Sequence, residues 1–437
     1  MPFSPEVAGA IVVSLLLIML TLGVHIGVAL GLCGFIGIFI SVGADAAFAQ
    51  LAAVPFSTTN SFTLAVIPLF ILMGSLATEA AITTDLYRAA YYWLGRLRGG
   101  LAMATVMSSA AFGAASGSTI VNAAVFTRMA MPEMDRFGYD IRLSAGCIAA
   151  AGTIASLIPP SILMVVYGVI TEQSIGKLLI SGIVPGILTA LIYCVGIYII
   201  ARWWPKLAPL AKMTITWAER WKSLYGVSGI AILFILVVGG IYGGYFSATY
   251  AGAVGAFGAF IIVIVKGRFS FTSLVAALKD ATVTTSVIFI IVVGGILFAR
   301  FLTYSGLVTS LSSTMLSFEA GKYTYLMGYV IIFLILGCFI EPIAIMVMTL
   351  PIMFPVMMKA GWDPIWLGVV SVKLAEIGLL TPPVGLNVYV VKSSSPIPIT
   401  LGQAFTGVTP FIICDLCLLA SFIAFPGMLT WLPNLMS

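Results

Sequence analysis

"GLLTPPVGLNVYVV", residues 378–391, breaks a stretch that would otherwise read as membrane-spanning helix. Adjacent prolines, flanking glycines and an asparagine are each disfavoured inside a helix, the prolines because they lack a donor and clash with the preceding turn. The stretch is therefore read as a helix deliberately interrupted, and the rest of the sequence has to supply the reason.

Composition sets the medium. Of 437 residues, 61% are hydrophobic and only 8% charged, with a mean hydropathy of +1.17. A soluble fold of that size needs far more polar surface. Apolar runs of about 18 residues or more, enough to cross a hydrocarbon core, recur from end to end. The chain is read as an all-α polytopic membrane protein. Its first apolar run, residues 7–24, follows Glu6 rather than a basic flank and precedes no small-residue cleavage site, so a retained helix is expected, not a signal peptide. Cys414 and Cys417 form a C-x-x-C inside an apolar helix, which argues against redox or metal chemistry, and the single histidine, His25, cannot build a metal site alone. No transition metal, cofactor or nucleic acid is expected.

Basic residues orient the first half. Arg88, Arg96 and Arg98 precede residues 100–131, and Arg128, Arg136 and Arg142 lie at or beyond their end. Positive residues favour the cytoplasmic side. Both ends therefore face the cytoplasm, and the segment, with "FGAASGSTIVNAA" near its middle, is read as a re-entrant hairpin with its tip buried in protein. Arg202, Lys206, Lys212, Arg220 and Lys222, with Trp203, Trp204, Trp217 and Trp221, suggest amphipathic helix at the cytoplasmic interface, and "KGRFSFTSLVAALKD" at 266–280 suggests another.

The chain repeats. Pro159-Pro160 falls on Pro382-Pro383 at a shift of 382 − 159 = 223 residues, and the same shift carries Pro132 to Pro355, Gly138 to Gly361, Asp140 to Asp363 and Ser118 to Glu341. An odd number of crossings separates the halves, and the flanks of the second hairpin, Glu319, Lys322 and Lys359, lack the arginine bias of the first. The second hairpin is expected to enter from the opposite side. Inverted repeats with re-entrant hairpins and broken helices are the architecture of a secondary transporter.

A helix broken at the midplane exposes carbonyls that can ligate a cation and amides that can face an anion. Hydroxyls stand nearby: Ser116, Ser118, Thr153 and Ser156 in the first half, Thr381 in the second, where Asn387 adds an amide. Asp140 and Asp363 each open an apolar run and are read as helix N-caps rather than ion ligands. Glu341 and Glu376 are intramembrane carboxylates near the second tip and break. An i, i+3 pair between Lys373 and Glu376 competes with a functional role. Arg300 could meet a substrate carboxylate or reach the interface, and Asp415 is expected to bond a neighbouring helix.

With "GTIASLIPPSILMVVYGVITEQSIGKLLISGIVPG" (152–186), "GAASGSTIVNAA", "MTLPIMFPVM" and the opening stretch together, the chain resembles, over essentially its whole length, the large membrane subunit of tripartite ATP-independent periplasmic (TRAP) transporters. The resemblance implies an inverted-repeat elevator-type transporter in a bacterial or archaeal cytoplasmic membrane, importing small organic anions with sodium. It implies a periplasmic binding protein and a small four-helix membrane subunit as partners. The latter is expected as a separate chain, because the first hairpin begins near Gly100. The implied organisation is 1–99 scaffold helices and interfacial arm, 100–201 first transport repeat, 202–319 linker and central scaffold, 320–400 second transport repeat and 401–437 a C-terminal helix. Carried over by position, the resemblance puts one sodium around Ser116, Ser118, Gly152, Thr153 and Ile158, and a second around Gly337, Glu341, Ala375, Gly378 and Thr381. The substrate would lie near Gly117, Pro160, Ser161, Pro383 and Asn387. Ala155-Ser156 departs from the family's glycine-containing approach to its proline pair.

Other classes fare worse. No G-x-x-x-x-G-K-[ST] loop is present for an ATP-driven system, and a lone histidine without H-E-x-x-H makes an intramembrane enzyme a poor reading. The nearest alternative is a binding-protein-independent, sodium-coupled dicarboxylate carrier of the related divalent-anion type. It would show a Ser-Asn-Thr tip in each half, and neither half has one. C4-dicarboxylates are the default substrate, with sugar acids, keto acids and sulfonates open.

Overall fold

The computed structural model describes residues 4–210, 215–310, 313 and 321–436. Among them are α1 (Pro5–Thr21), α2 (Ile26–Ser41), α3 (Ala44–Thr59), α4 (Val66–Glu79), α5 (Ile82–Leu94), α6 (Gly100–Ser116), α7 (Thr119–Arg136), α8 (Ile141–Thr153), α9 (Ile162–Thr171), α10 (Ile175–Ser181) and α11 (Ile183–Trp203). The second part holds α12 (Trp217–Tyr242), α13 (Ala248–Val265), α14 (Phe271–Tyr304), α15 (Lys322–Gly337), α16 (Pro342–Lys359), α17 (Pro364–Leu380), α18 (Leu386–Ser394), α19 (Leu401–Ala424) and α20 (Gly427–Asn434). Lys212 and Glu319 lie outside the described residues.

The 223-residue repeat holds to single positions. Both ends of α7 map onto both ends of α16, the start of α8 onto the start of α17, and the end of α9 onto the end of α18. The two hairpins are α6–α7 and α15–α16; the two broken helices are α8–α9 and α17–α18. Asp140 and Asp363 are N-caps, as their position predicts: each carboxylate accepts a first-turn backbone N–H at 2.8 Å, from Arg142 and Trp366 respectively. The Arg142 guanidinium, hydrogen-bonded to Asp140, holds that carboxyl below its ordinary range. Among the described residues five segments separate the hairpins: α8–α9, α10–α11, α12, α13 and α14. With each segment making one pass, an odd number sets the hairpins on opposite faces.

A frame surrounds these elements. In it α2 runs along α14 and α4 along α13, an exchange of partners between the halves. The α2–α14 contact is close because glycines face it. A Cβ on Gly34 would stand 2.5 Å from the Leu297 backbone, and one on Gly294 would stand 2.0 Å from the Gly27 carbonyl oxygen. Trp93 of α5 meets Trp217 and Trp221 of α12 edge-on, at centroid distances of 6.3 and 5.7 Å.

Three expectations are corrected. Residues 204–210 form no amphipathic helix: Pro205 and Pro209 interrupt it, Ala208 is buried, and the Leu207 carbonyl accepts the Asp140 N–H at 2.9 Å, pinning the loop under α8. "WAERWKSLYG" is the start of α12, opened by a Thr216/Glu219 capping box and continuous for 26 residues. Likewise 271–280 is the first part of the 34-residue α14, since no proline or glycine stops it before the next apolar run. At 1.5 Å per residue α14 is about 51 Å long, well beyond a hydrocarbon core of roughly 30 Å, so it projects from the membrane or tilts. Finally, 401–437 holds two helices, α19 and α20, separated at Phe425 and Pro426.

Gly294→Ala is expected to cost about 1–3 kcal/mol, because the new methyl meets a backbone carbonyl that no rotamer change can move. Thermal unfolding of the purified protein in detergent checks it; a midpoint equal to wild type would refute the close α2–α14 contact.

Candidate functional site

The first hairpin turns at Gly117, whose φ of +58° is a left-handed conformation suited to glycine. A Cβ there would also lie 2.5 Å from the Pro160 carbonyl oxygen, so the tip rests directly on the first break. Ser118 caps α7, accepting the Val121 N–H at 3.5 Å. Beside it the buried Ser116 hydroxyl has no hydrogen-bond partner. In the break, Thr153 donates to the Ala150 carbonyl at 2.7 Å and Ser156 to the Thr153 carbonyl at 2.8 Å. Both hydroxyl oxygens keep acceptor lone pairs. Gly152 packs against Ala123 and the Thr119 carbonyl. The Ile158 side chain turns away toward Gly186 of α11, leaving only its backbone for an ion.

Hairpin and break meet at equivalent places in both repeats. In the first, a Cβ on Gly113 would stand 2.7 Å from the Ala155 Cα; in the second, one on Gly378 would stand 2.4 Å from the Gly337 Cα. Ala155, the departure noted in the sequence, is tolerated because Gly113 opposite it has no side chain.

The second tip carries charge. Glu341 occupies the N-cap of α16 but makes no capping bond, and its Oε1 has no hydrogen-bond partner. Glu376, on α17 and fully buried, crosses to the other repeat: its Oε1 accepts the Thr119 hydroxyl at 2.9 Å. Its Oε2 has no partner. Ser156 lies near it, yet spends its proton on the Thr153 carbonyl. At the second break Thr381 donates to the Ile377 carbonyl at 2.7 Å, next to Ala375, which is buried one residue before Glu376.

A cavity of 260 Å³ joins these parts. Its wall includes Gly117, Ser118 and Thr119, then Ile162 and Leu163, Glu341 to Ile343, Glu376 and Leu379, closed by α14 through Val283, Thr284, Val287 and Ile288. The first residues of α7, α9 and α16 thus converge on one space, and among the described residues no lysine, arginine or histidine lines it. Helix N-termini favour anions; buried carboxylates favour cations. The cavity offers both.

Of the residues singled out for substrate, Gly117 lines this cavity, and Ser161, the buried N-cap of α9, immediately precedes its wall. Pro160 touches the first tip. Asn387 and Pro383 are not on the wall. Asn387 instead donates to the Ala149 carbonyl of α8 at 3.2 Å, with its own Oδ1 unpartnered, and Pro383 is exposed while Pro159 and Pro160 are buried. Thr119, Gly113 and Thr284 escaped the sequence reading. The repeat shift puts Thr119 on Pro342, a first-turn position at the second tip, and that pairing was the available signal. Thr284 sits in the frame, where nothing in the sequence marks it.

The other intramembrane charges singled out in the sequence are bonded to neighbouring helices. Lys373 pairs with Asp415 of α19, not with Glu376, and reaches Thr189 at 3.5 Å; Tyr193 of α11 donates to the second Asp415 oxygen at 2.7 Å. This network ties α11, α17 and α19 into one unit. Arg300 bonds to Gln50 of α3, within the frame and away from the cavity.

The family model for the "Tripartite ATP-independent periplasmic transporter, DctM component" matches residues 13–428. The chain is 37% identical to the C4-dicarboxylate TRAP transporter large permease protein DctM of Pseudomonas aeruginosa, over 88% of this chain and 89% of that one. It is 33% identical to the isethionate TRAP transporter permease protein DctMQ of Oleidesulfovibrio alaskensis, over 85% of this chain and 58% of that longer one. In fold it resembles the crystal structure of the Alcanivorax borkumensis YdaH transporter, with a TM-score of 0.60 at 15% identity, covering 89% and 91% of the two chains.

Thr119→Val removes the one side-chain hydrogen bond seen for Glu376 and leaves a buried oxygen unsatisfied. A loss of about 1–3 kcal/mol is expected, read as a lowered unfolding midpoint in detergent. An unchanged midpoint would mean that the bridge between repeats does not exist.

Proposed function

The chain belongs to the DctM family of TRAP transporters, a transporter permease subunit and not an enzyme, and on that premise we propose that it carries small organic anions into the cell with sodium, by an elevator motion. The observation that carries the proposal is the single cavity where both hairpin tips, the start of α9, the buried Glu376 and the half-buried Glu341 meet.

The reading runs as chemistry. Sodium is a hard cation and takes several oxygen ligands. The first ion is assigned to Ser116, Ser118, Gly152, Thr153 and Ile158, and the second to Gly337, Glu341, Ala375, Gly378 and Thr381, mostly through carbonyls. The anion is assigned to the space between the tips, where Gly117, Ser118 and the α9 start beyond Pro160 and Ser161 present amide ends. Pro383 and Asn387, off this wall, would reach the anion only from the second break, whose prolines are exposed. Unequal exposure of two equivalent breaks fits a protein caught on one side of an alternating cycle. The moving unit would comprise the hairpins, the broken helices, α11 and α19, and the frame would be α1–α5 with α12–α14.

The family works with a binding protein and a small membrane subunit. A periplasmic binding protein would deliver the substrate, and the small subunit would be a separate chain in the cytoplasmic membrane. The relatives transport a C4-dicarboxylate and isethionate by name; what these share is a small anionic head, and the C4-dicarboxylate is the default proposed here.

Proteoliposomes holding this chain, its small subunit and its binding protein, given an imposed sodium gradient and a panel of organic anions, test the reading. Uptake is expected to collapse without sodium or without the binding protein. Ser118→Ala is expected to weaken the apparent sodium affinity about tenfold, the effect of losing roughly 1.4 kcal/mol from an ion contact. Uptake that proceeds without the binding protein would replace this reading with that of a self-sufficient dicarboxylate carrier; uptake indifferent to sodium would remove the coupling ion.

A further inference from the structure

Away from the hairpin tips, α5 and α12 pair antiparallel on the side that the basic residues assign to the cytoplasm. A Cβ on Gly226 would stand 3.1 Å from the Asp85 Cβ, and at the other end of the contact Trp93 meets Trp217. Between these points a cavity of 340 Å³ is lined by Asp85, Arg88 and Tyr92 of α5 and by Glu219, Lys222 and Ser223 of α12. Residue numbers rise along one wall as they fall along the other, so the register sets Arg88 opposite Lys222. Both acids are already engaged. Asp85 pairs with Lys266 of α13, and Glu219 accepts the Thr216 N–H at 2.8 Å and the Thr216 hydroxyl at 2.7 Å in the capping box. Among the described residues neither the Arg88 nor the Lys222 side chain has an ion pair or a hydrogen bond. Two cations without carboxylates, flanked by tryptophans at the membrane surface, suit a phosphate.

The same side of α12 continues into the membrane. Residues 219, 223, 226, 230 and 234 recur at helical spacing; the first three line the polar cavity, and Ile230 and Phe234 line a second one, of 350 Å³, against α6 and α11. Every side chain on that second wall is Ala, Val, Leu, Ile, Met or Phe, so it offers water no hydrogen bond. Ile187 and Leu191 on it are half exposed, which at membrane depth opens the space sideways to lipid. Twelve residues separate Lys222 from Phe234, about 18 Å at 1.5 Å per residue, close to the roughly 15 Å depth of one leaflet. We propose that the two cavities together hold one anionic glycerophospholipid of the cytoplasmic leaflet, its phosphate on Arg88 and Lys222 and one acyl chain between α12 and the pair α6 and α11, reaching Ile158 of the first break. With α12 in the frame and α6 and α11 in the moving unit, a division that rests on the transport reading, this lipid spans the seam between them. The binding itself does not depend on that reading.

The probe is phosphatidylglycerol, compared with phosphatidylcholine of the same chains, added to the protein purified in detergent with its small subunit; the readout is the thermal unfolding midpoint. Phosphatidylglycerol is expected to raise the wild-type midpoint at a several-fold lower concentration than phosphatidylcholine, and the double variant Arg88→Gln, Lys222→Gln to erase that difference. Arg88→Lys with Lys222→Arg, which keeps both charges, is expected to preserve it. Ala231→Phe, which fills the apolar cavity from an exposed position, is expected to weaken stabilisation by both lipids, and it decides the matter if the glutamine variant does not fold. Equal potency of the two lipids on wild type overturns the proposal. So does a phosphatidylglycerol preference that survives in the glutamine variant, or undiminished stabilisation of Ala231→Phe. Inorganic phosphate that reproduces the shift would make the site one for a free anion, and a lipid effect seen only without the small subunit would give the groove to that subunit; either result removes the lipid. Because unfolding is read without transport, a failed uptake assay would overturn the transport reading alone.

Discussion

A helix can break at membrane depth only where its freed carbonyls and amides meet protein, ions or enclosed water. Everything central to this molecule follows from meeting that constraint twice. The first break is covered by the tip of its hairpin, Gly117 over Pro160, whereas the prolines of the second stand exposed; in both repeats the hairpin meets the broken helix through close backbone contact, Gly113 on Ala155 and Gly337 on Gly378. The frame of α2–α14 and α4–α13 is then needed to hold the hairpins at that depth, and α14 closes the resulting cavity from the side.

The repeat supplies two copies of the same solution, and the differences between the copies carry the electrostatics. The shift that turns Ser118 into Glu341 and Thr153 into Glu376 also turns Ala150 into Lys373. The lysine does not neutralise its neighbour. It binds Asp415, itself held by Tyr193, so that a buried ion pair with further hydrogen bonds fastens α11 and α19 to the second broken helix. Such a pair contributes little net stability against an apolar alternative, but breaking it by removing one partner is strongly destabilising. A fixed body results, and Glu376, left out of that pair, lies on the wall beside the first tip.

How much of this was legible in the sequence depends on whether a feature is local or spatial. The hairpins, the breaks and the caps at Asp140 and Asp363 could be read because each is written in a short stretch and then written again 223 residues later. The helix boundaries of the central part were misread for a reason of the same kind: aromatic and basic residues at 217–226 and 266–280 look interfacial, yet nothing in those stretches ends a helix, so the chain continues into the next span. The Lys373–Glu376 pairing was suggested by i, i+3 spacing and displaced by Asp415, 42 residues away. The Thr119–Glu376 bridge spans 257 residues, and no periodicity announces it.

On the transport reading proposed above, the same cavity accepts an anion and cations, and its wall offers groups for both. The amide ends of α7 and α9 belong to the first repeat, whose tip hydroxyls are neutral; the carboxylates belong to the second. Positive dipole ends reach the space from both halves, α7 and α9 from the first and α16 from the second, while both carboxylates come from the second, Glu341 at the start of α16 itself. A cation placed on the carboxylate side turns that side from repelling an organic anion to attracting it, while the amide side is unchanged. On that reading the coupling of ion to substrate needs no long pathway through the fold. It follows from Coulomb attraction across a few ångströms of enclosed, weakly screened space, where such interactions are far stronger than in water.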